Sequence, residues 1–235
     1  MNSRTAALSV WLASLALLPA GPARSESMPE PVGFDLHYQV FRNDKLQGKA
    51  QLSLQPDEDG TWLLTMQVKA DRGLASLVGY EEIERSRLAF QDNGQWRVLG
   101  YRRDRAVGWR KRHEQVDFDW SQGRVRADVD GEHFDLAVES GLADPNSVLL
   151  RLAADLHQGL QPGQYPVLRR GKVDQWQFRQ TGRETLGDRE VVVVERVRDH
   201  GRRTTTSWLA PSLGYMPARI QQVEEDETLR LELIP

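Results

Sequence analysis

The stretch Trp62-Leu63-Leu64-Thr65-Met66-Gln67-Val68-Lys69-Ala70 decides the fold class. Trp62, Leu64, Met66, Val68 and Ala70 recur at every second position, with Thr65, Gln67 and Lys69 among the residues between them. Side chains of an extended strand point alternately to opposite faces, so a period of two gives one apolar and one wetted face. A helix would scatter the same residues around its circumference. The segment therefore reads as a strand of an antiparallel sheet with one face on the core.

The same period continues on both sides of it. Upstream, Phe34, Leu36, Tyr38 and Val40 alternate with Asp35, His37 and Gln39; a polar turn at Asn43-Asp44 then leads to Ala50, Leu52 and Leu54. Downstream, Val116, Phe118 and Trp120 form one run, and Val125, Ala127 and Val129 lead through Asp130-Gly131 to Phe134, Leu136 and Val138. Asp-Gly between alternating runs is a strong hairpin signal, because glycine accepts positive φ at no steric cost. Further strands are expected over Glu190 to Arg198, Thr204 to Leu209, Ala218 to Val223 and Leu229 to Leu233.

One segment changes period. From Asp144 onward, Val148, Leu149, Leu152, Ala153, Leu156 and Leu160 recur at three- and four-residue spacing, which predicts a helix. Asp144 is the expected N-cap, Pro145 suits the first turn and Gly159 the end. A shorter helical turn is expected over Leu74 to Val78. The fold class is mainly β: a curved antiparallel sheet or open β-barrel meander covered or plugged by one α-helix.

The first 25 residues read differently. Arg4 precedes an apolar run of 13 residues from Ala6 to Leu18, followed by Pro19, Gly21 and Pro22. That is the layout of a secretory signal peptide, too short for a membrane span of about 20 residues. Small residues place the cut near residues 23–25, ahead of Arg24 or Glu26; a buried N-terminal helix or uncleaved anchor is the alternative. The division is then a signal peptide over 1–25 and a single β-rich domain over 26–235. Losing Arg4 and Arg24 lowers the net charge from −3 to −5, which argues against a general nucleic-acid binder. The chain has no cysteine, so a disulfide framework and a lipid-modified cysteine at the cut are both excluded. No later stretch is apolar enough for a transmembrane segment, and the alternate strand faces carry too many charges for an outer-membrane barrel.

Several residue groups, in this order, resemble the bacterial envelope family called domain of unknown function 3108. They are Phe34-x-Leu36-x-Tyr38 with Gly48, Gly73-Leu74 followed by Tyr80-Glu81, Asp144-x-x-Ser147, and Gly182-x-Glu184 before a valine-rich strand. The most specific is the ending Trp208-Leu209-Ala210-Pro211 with Tyr215-x-Pro217-x-x-Ile220. The resemblance implies a periplasmic address and a sheet-rich fold. The ending is also similar to that of lipoprotein-carrier proteins built on an open β-barrel with an internal helix. No catalytic residue is implied.

Two groups are candidate ligand contacts. Between Arg97 and His113 stand seven basic residues against Asp104 alone, interleaved with Tyr101 and Trp109. Within it Arg102, Arg103, Trp109, Arg110 and Arg112 suit an anionic envelope component, because guanidinium groups pair bidentately with phosphate or carboxylate. The competing and preferred reading is a pair of solvated strand faces with arginines paired to nearby carboxylates. Trp208 and Tyr215, with Pro211 and Pro217, suit the mouth of a pocket or simply a packed hairpin. Asp128, Asp130, Glu132, His133 and Asp135 crowd one hairpin but read as a polar turn rather than a metal site. The histidines are scattered, no G-x-S-x-G occurs, and neither a metal nor another cofactor is expected.

Three functions follow in order of preference: a non-enzymatic periplasmic binding protein for a lipid or other hydrophobic envelope component; an envelope scaffold holding a protein or polysaccharide; and a glycan-acting enzyme. Contact with a membrane surface fits the first without any transmembrane segment.

Overall fold

The computed structural model describes residues 31–73, 76, 79–198 and 202–235. The signal-peptide segment 1–25 and all but Ser76 of the short turn expected over Leu74 to Val78 lie outside the described residues. Fourteen strands form one antiparallel sheet. In the first half they are β1 (Phe34–Arg42), β2 (Lys45–Pro56), β3 (Trp62–Ala70), β4 (Glu81–Phe90), β5 (Trp96–Val107), β6 (Arg110–Asp119), β7 (Arg124–Val129) and β8 (Glu132–Ala137). Helix α1 (Val148–His157) follows, then β9 (Gln164–Arg169), β10 (Lys172–Leu186), β11 (Arg189–Val197), β12 (Arg203–Ala210), β13 (Met216–Glu224) and β14 (Glu227–Leu233).

The spatial order is β8-β7-β6-β5-β4-β3-β2-β1-β14-β13-β12-β11-β10-β9, two meanders joined where β1 pairs with β14. Local turn chemistry sets this order. Asn43 and Asp44, at φ 46° and 60°, and Asp130 and Gly131, at φ 54° and 92°, make the two-residue turns with left-handed backbone that match strand twist. The alternation of residues 62–70 is realised in β3: Leu64 is fully buried, and Trp62, Met66 and Val68 pack on the same core. The two meanders are further tied by the Tyr38 hydroxyl, which donates to the Pro217 carbonyl at 2.8 Å.

The sheet does not close by strand pairing, because β8 and β9 remain its edges. They nevertheless approach one another. Gly171, in the β9–β10 turn at φ 72°, lies so close to the Phe134 ring on β8 that a Cβ there would fall 2.4 Å from it. Nearby, the backbone N–H of Arg170 donates to the Glu114 carboxylate of β6 at 2.7 Å. A parallel bridge from Ala143 to Val167 adds the segment before α1 to the β9 edge.

Helix α1 is held by a buried polar knot. The Asp144 carboxylate accepts from the backbone N–H groups of Asn146 and Ser147, both at 2.8 Å, and from the Ser86 hydroxyl of β4 at 2.9 Å. The Asn146 amide donates to the Leu64 carbonyl of β3 and to the Ser86 oxygen, each at 3.1 Å. Asp144 thus caps the turn that feeds the helix, while Ser147 occupies the N-cap position without a side-chain bond to the helix, its hydroxyl oxygen instead accepting from the Asp144 backbone N–H at 3.0 Å. The helix ends at His157, before the expected Leu160, and Gly159 follows at φ 74°. Val148, Leu152 and Leu156 bury against Val167, Val192, Val194 and Leu209 of the second meander.

Candidate functional site

The hairpins β1–β2, β3–β4, β5–β6, β9–β10, β11–β12 and β13–β14 all turn at one end of the curved sheet, and α1 enters from the other. Between them lies a cavity of about 1520 Å³. Near α1 its wall is apolar, formed by Leu52, Met66, Val68, Leu149, Leu152 and Leu231. Toward the hairpins it becomes charged, with Arg42, Arg105, Arg198, Arg203, Glu224 and Glu227 at the rim. Strands β1 to β5 and β9 to β14 contribute to this wall, largely through alternate residues, so charged positions that look like a wetted outer face in the sequence lie inside.

One charged group belongs to β4 and β5. Arg103 lies 3.0 Å from the Glu82 carboxylate and 3.7 Å from that of Glu84, while the Tyr80 hydroxyl donates to Glu82 and the Tyr101 hydroxyl to Glu84. Arg105 approaches Glu82 at 3.5 Å and stacks over the Tyr80 ring. Glu84 is the more deeply placed carboxyl, with the poorer share of Arg103. Burial first, and then the charge of Glu82, push its pKa up to about 8. Burial, the largest single influence, pulls Glu82 the same way, but the charge of Arg103, hydrogen bonds from Glu84 and Tyr80 and the charge of Arg105 together outweigh it and hold that carboxyl below its ordinary range.

The facing group is built differently. Arg196 and Arg198 continue the inward face of β11 beyond Val192 and Val194; Arg169 ends β9 and Trp176 projects from β10. The Arg196 guanidinium lies 3.3 Å from the centre of the Trp176 ring. Thr205 is the cross-strand neighbour of Arg196 on β12. Among the described residues, Arg169, Arg196 and Arg198 have no carboxylate at ion-pair distance. Arg196 Nε, Arg198 Nε, Trp176 Nε1 and Thr205 Oγ1 are buried and lack a hydrogen-bond partner there. Burial, and then the like charges of Arg198 and Arg169, lower the pKa of the Arg196 guanidinium; burial also lowers those of Arg198 and Arg169. Positive charge is therefore concentrated here at a cost in free energy.

Of the residues singled out in the sequence, Arg103 lines the cavity. Arg102 is exposed and pairs with Asp104 at 2.9 Å, and Arg112 pairs with Asp130 at 2.7 Å. Trp109 is 86% exposed in the β5–β6 turn, beside the cavity-lining Val107, and the Arg110 guanidinium lies over its ring. Trp208 faces away from the cavity, donating to Glu184 and packing with Val191, Ala210 and Ala218. Tyr215 meets His157 of α1 edge-on at 6.3 Å, at the plugged end. The acidic hairpin is engaged locally: Asp130 pairs with Arg112 and Asp135 with Arg124, and the Asp128 carboxylate lies 3.0 Å from His133 Nδ1. The basic group on β9 and β11 escaped the sequence reading, which weighed charge density along the chain. The available signal was parity, since Val192, Val194, Arg196 and Arg198 share one face.

A family model described as a protein of unknown function, DUF3108, matches residues 34–234. No curated protein matches the chain. A crystal structure described as a β-barrel-like protein of domain of unknown function DUF1849 from Brucella abortus is similar over 85% of this chain and 94% of that one, with a TM-score of 0.57 and 9% identity. At that identity the likeness concerns the fold alone.

Proposed function

The chain belongs to the DUF3108 family of proteins of unknown function, and from that premise we propose that it is a non-enzymatic periplasmic binding protein that takes a lipid-like envelope molecule into its open barrel. The observation that carries this reading is the cavity. Its volume of about 1520 Å³ exceeds the roughly 300–1,000 Å³ of ordinary small-molecule pockets. Its polarity runs from an apolar floor at α1 to a charged rim, which matches a molecule with an apolar body and a polar end. The exposed Trp109 with Arg110 at the rim adds an amphipathic contact suited to a membrane–water interface. Glu82 and Glu84 stand two residues apart on one strand and share Arg103. Glycan hydrolysis instead places its carboxylates on opposite sides of the scissile bond.

The test is uptake of N-phenyl-1-naphthylamine, a neutral hydrophobic fluorophore, by the purified exported protein. The wild type is expected to bind one molecule with a rise in dye fluorescence. Leu149→Trp, which fills the apolar floor, is expected to abolish the rise while leaving the circular dichroism spectrum unchanged. A wild type that leaves the dye dark, or equal uptake by both proteins, overturns the reading.

A further inference from the structure

The basic group on β9, β11 and the strands beside it has a chemistry of its own. The residues Arg196, Arg198, Trp176 and Thr205 all border the same cavity, and just beneath its surface Arg196 Nε, Arg198 Nε, Trp176 Nε1 and Thr205 Oγ1 are buried with no partner among the described residues. Buried donors are normally satisfied, and leaving one without a partner costs more than a typical hydrogen bond returns. Like charges add to that cost. Arg169, Arg196 and Arg198 repel one another, and the carboxylates of Asp174, Glu114 and Glu224 act on them only from beyond ion-pair distance. A role in folding alone would be met at lower cost by glutamine or leucine at these positions. What the four donors and the three positive charges have in common is an affinity for an oxyanion, which would accept several hydrogen bonds and neutralise the repulsion at once.

We infer that Arg196, Arg198, Trp176 and Thr205, backed by Arg169, form a headgroup subsite that holds the oxyanion of an anionic amphiphile whose hydrocarbon part lies along the apolar wall. The inference rests on the proposed function above and names the ligand class for the same cavity. Polarity sets the orientation. The guanidinium groups stand on the hairpin side of the cavity and Leu149 and Leu152 on the α1 side, so the head points to the mouth and the tail to the plug. The facing pair of Glu82 and Glu84 does not compete for the site, since Arg103 and Arg105 already engage it. Such a ligand enters tail first and keeps its charged end nearest water.

Calorimetric titration of the whole exported protein tests this with four soluble probes: dioctanoyl phosphatidylglycerol, decanoate, neutral dioctanoylglycerol and inorganic phosphate. The wild type is expected to bind one anionic amphiphile at least tenfold more tightly than dioctanoylglycerol. Arg196→Gln and Arg198→Gln are each expected to weaken that binding about tenfold, the loss of one charge-assisted contact, and to leave dioctanoylglycerol unaffected. Arginine-dependent binding of the phosphatidylglycerol assigns a phosphate head, and of decanoate a carboxylate. Either supports the inference.

Equal affinity for charged and neutral amphiphiles, or no effect of the two substitutions, overturns the subsite while leaving the cavity reading intact. Failure of every amphiphile overturns both. Inorganic phosphate bound as tightly as the phospholipid overturns the amphiphile in favour of a small anion. Thermal melting separates binding from folding: Arg198→Gln is expected to melt at or above the wild-type temperature, because it removes a repelling charge, and Arg196→Gln within about 4 °C of it, because loss of the contact with the Trp176 ring offsets that gain. A fall of more than about 4 °C, the scale of ~1 kcal/mol or more in a domain of this size, in both variants assigns these arginines to the fold and also overturns the subsite.

Discussion

Replacing Glu84 with glutamine should make the protein more stable at pH 8 and leave it nearly unchanged at pH 5. Glu84 lies in the cavity wall, where burial and then Glu82 raise its pKa to about 8. An unfolded glutamate titrates near ~4.3, so between those values the folded chain holds a proton that the unfolded chain has released. The native state binds more protons, hence stability falls as pH rises through this window, with a limiting slope of about 1.4 kcal/mol per pH unit. Glu82 acts in the opposite sense. Its pKa is held below the ordinary range, so its contribution is lost only as pH falls below about 4. Asp144, whose carboxyl pKa is also raised by burial, titrates alike in wild type and variant, so it is the difference between the two proteins from pH 5 to 8 that isolates Glu84. Water and side-chain adjustment in an open cavity reduce the limiting value, and a Glu84 contribution of about 1–2 kcal/mol lost over that span is expected.

Glutamine preserves the shape, still accepts from the Tyr101 hydroxyl, and carries an amide that can donate to Glu82 where the Glu84 proton did. It removes only the titration. Urea denaturation of both proteins at pH 5, 6, 7 and 8 measures the difference, in which the titrations the two chains share cancel. E84Q is expected to gain about 1–2 kcal/mol over wild type by pH 8. A variant less stable than wild type at pH 8 would refute the reasoning, since Glu84 would then be serving Arg103 as a charged partner.

Two further substitutions test how the plug and the sheet are held. Asp144→Ala leaves the backbone N–H groups of Asn146 and Ser147 and the Ser86 hydroxyl without their acceptor, and a loss of about 2–4 kcal/mol in urea denaturation is expected once relief of the buried carboxyl is set against them. Asp144→Asn, which keeps an acceptor oxygen, should lose less. At Gly48 a Cβ would fall 2.1 Å from the Lys69 carbonyl oxygen of β3. Gly48→Ala must push two paired backbones apart, and a cost of about 3 kcal/mol or more is expected by the same assay.

The sheet was legible in the sequence wherever the inner face is apolar, whether it meets core or the apolar part of the cavity wall. Residues 62–70, the Asn43-Asp44 turn and the Asp130-Gly131 hairpin each carry a local signal that tertiary packing reinforces, and α1 announces itself by its change of period. The strands that went unread fail for a physical reason. In β4 the inward positions begin Glu82 and Glu84 before reaching Ser86 and Leu88, and in β10 the apolar alternation covers only Trp176 and Phe178 of a 15-residue strand, with Val173 out of phase. The rule that apolar residues mark the inside assumes that the inside is core. Where strands surround a cavity, the inside is a surface too, and its polar residues obey the same parity as the core residues before them. Arg196 and Arg198 following Val192 and Val194 on one face are the plainest case: the period of two runs unbroken while the chemistry changes from packing to charge. Local charge density drew attention instead to residues 97–113, where Arg102 and Arg112 are paired with carboxylates in the open. An arginine already neutralised by its neighbours has little to offer a ligand. A half-buried one with no carboxylate partner among the described residues stores, as unsatisfied donors and mutual repulsion, free energy that binding an anion would release, and parity within the sheet, rather than charge count along the chain, is what leads to the proposed subsite.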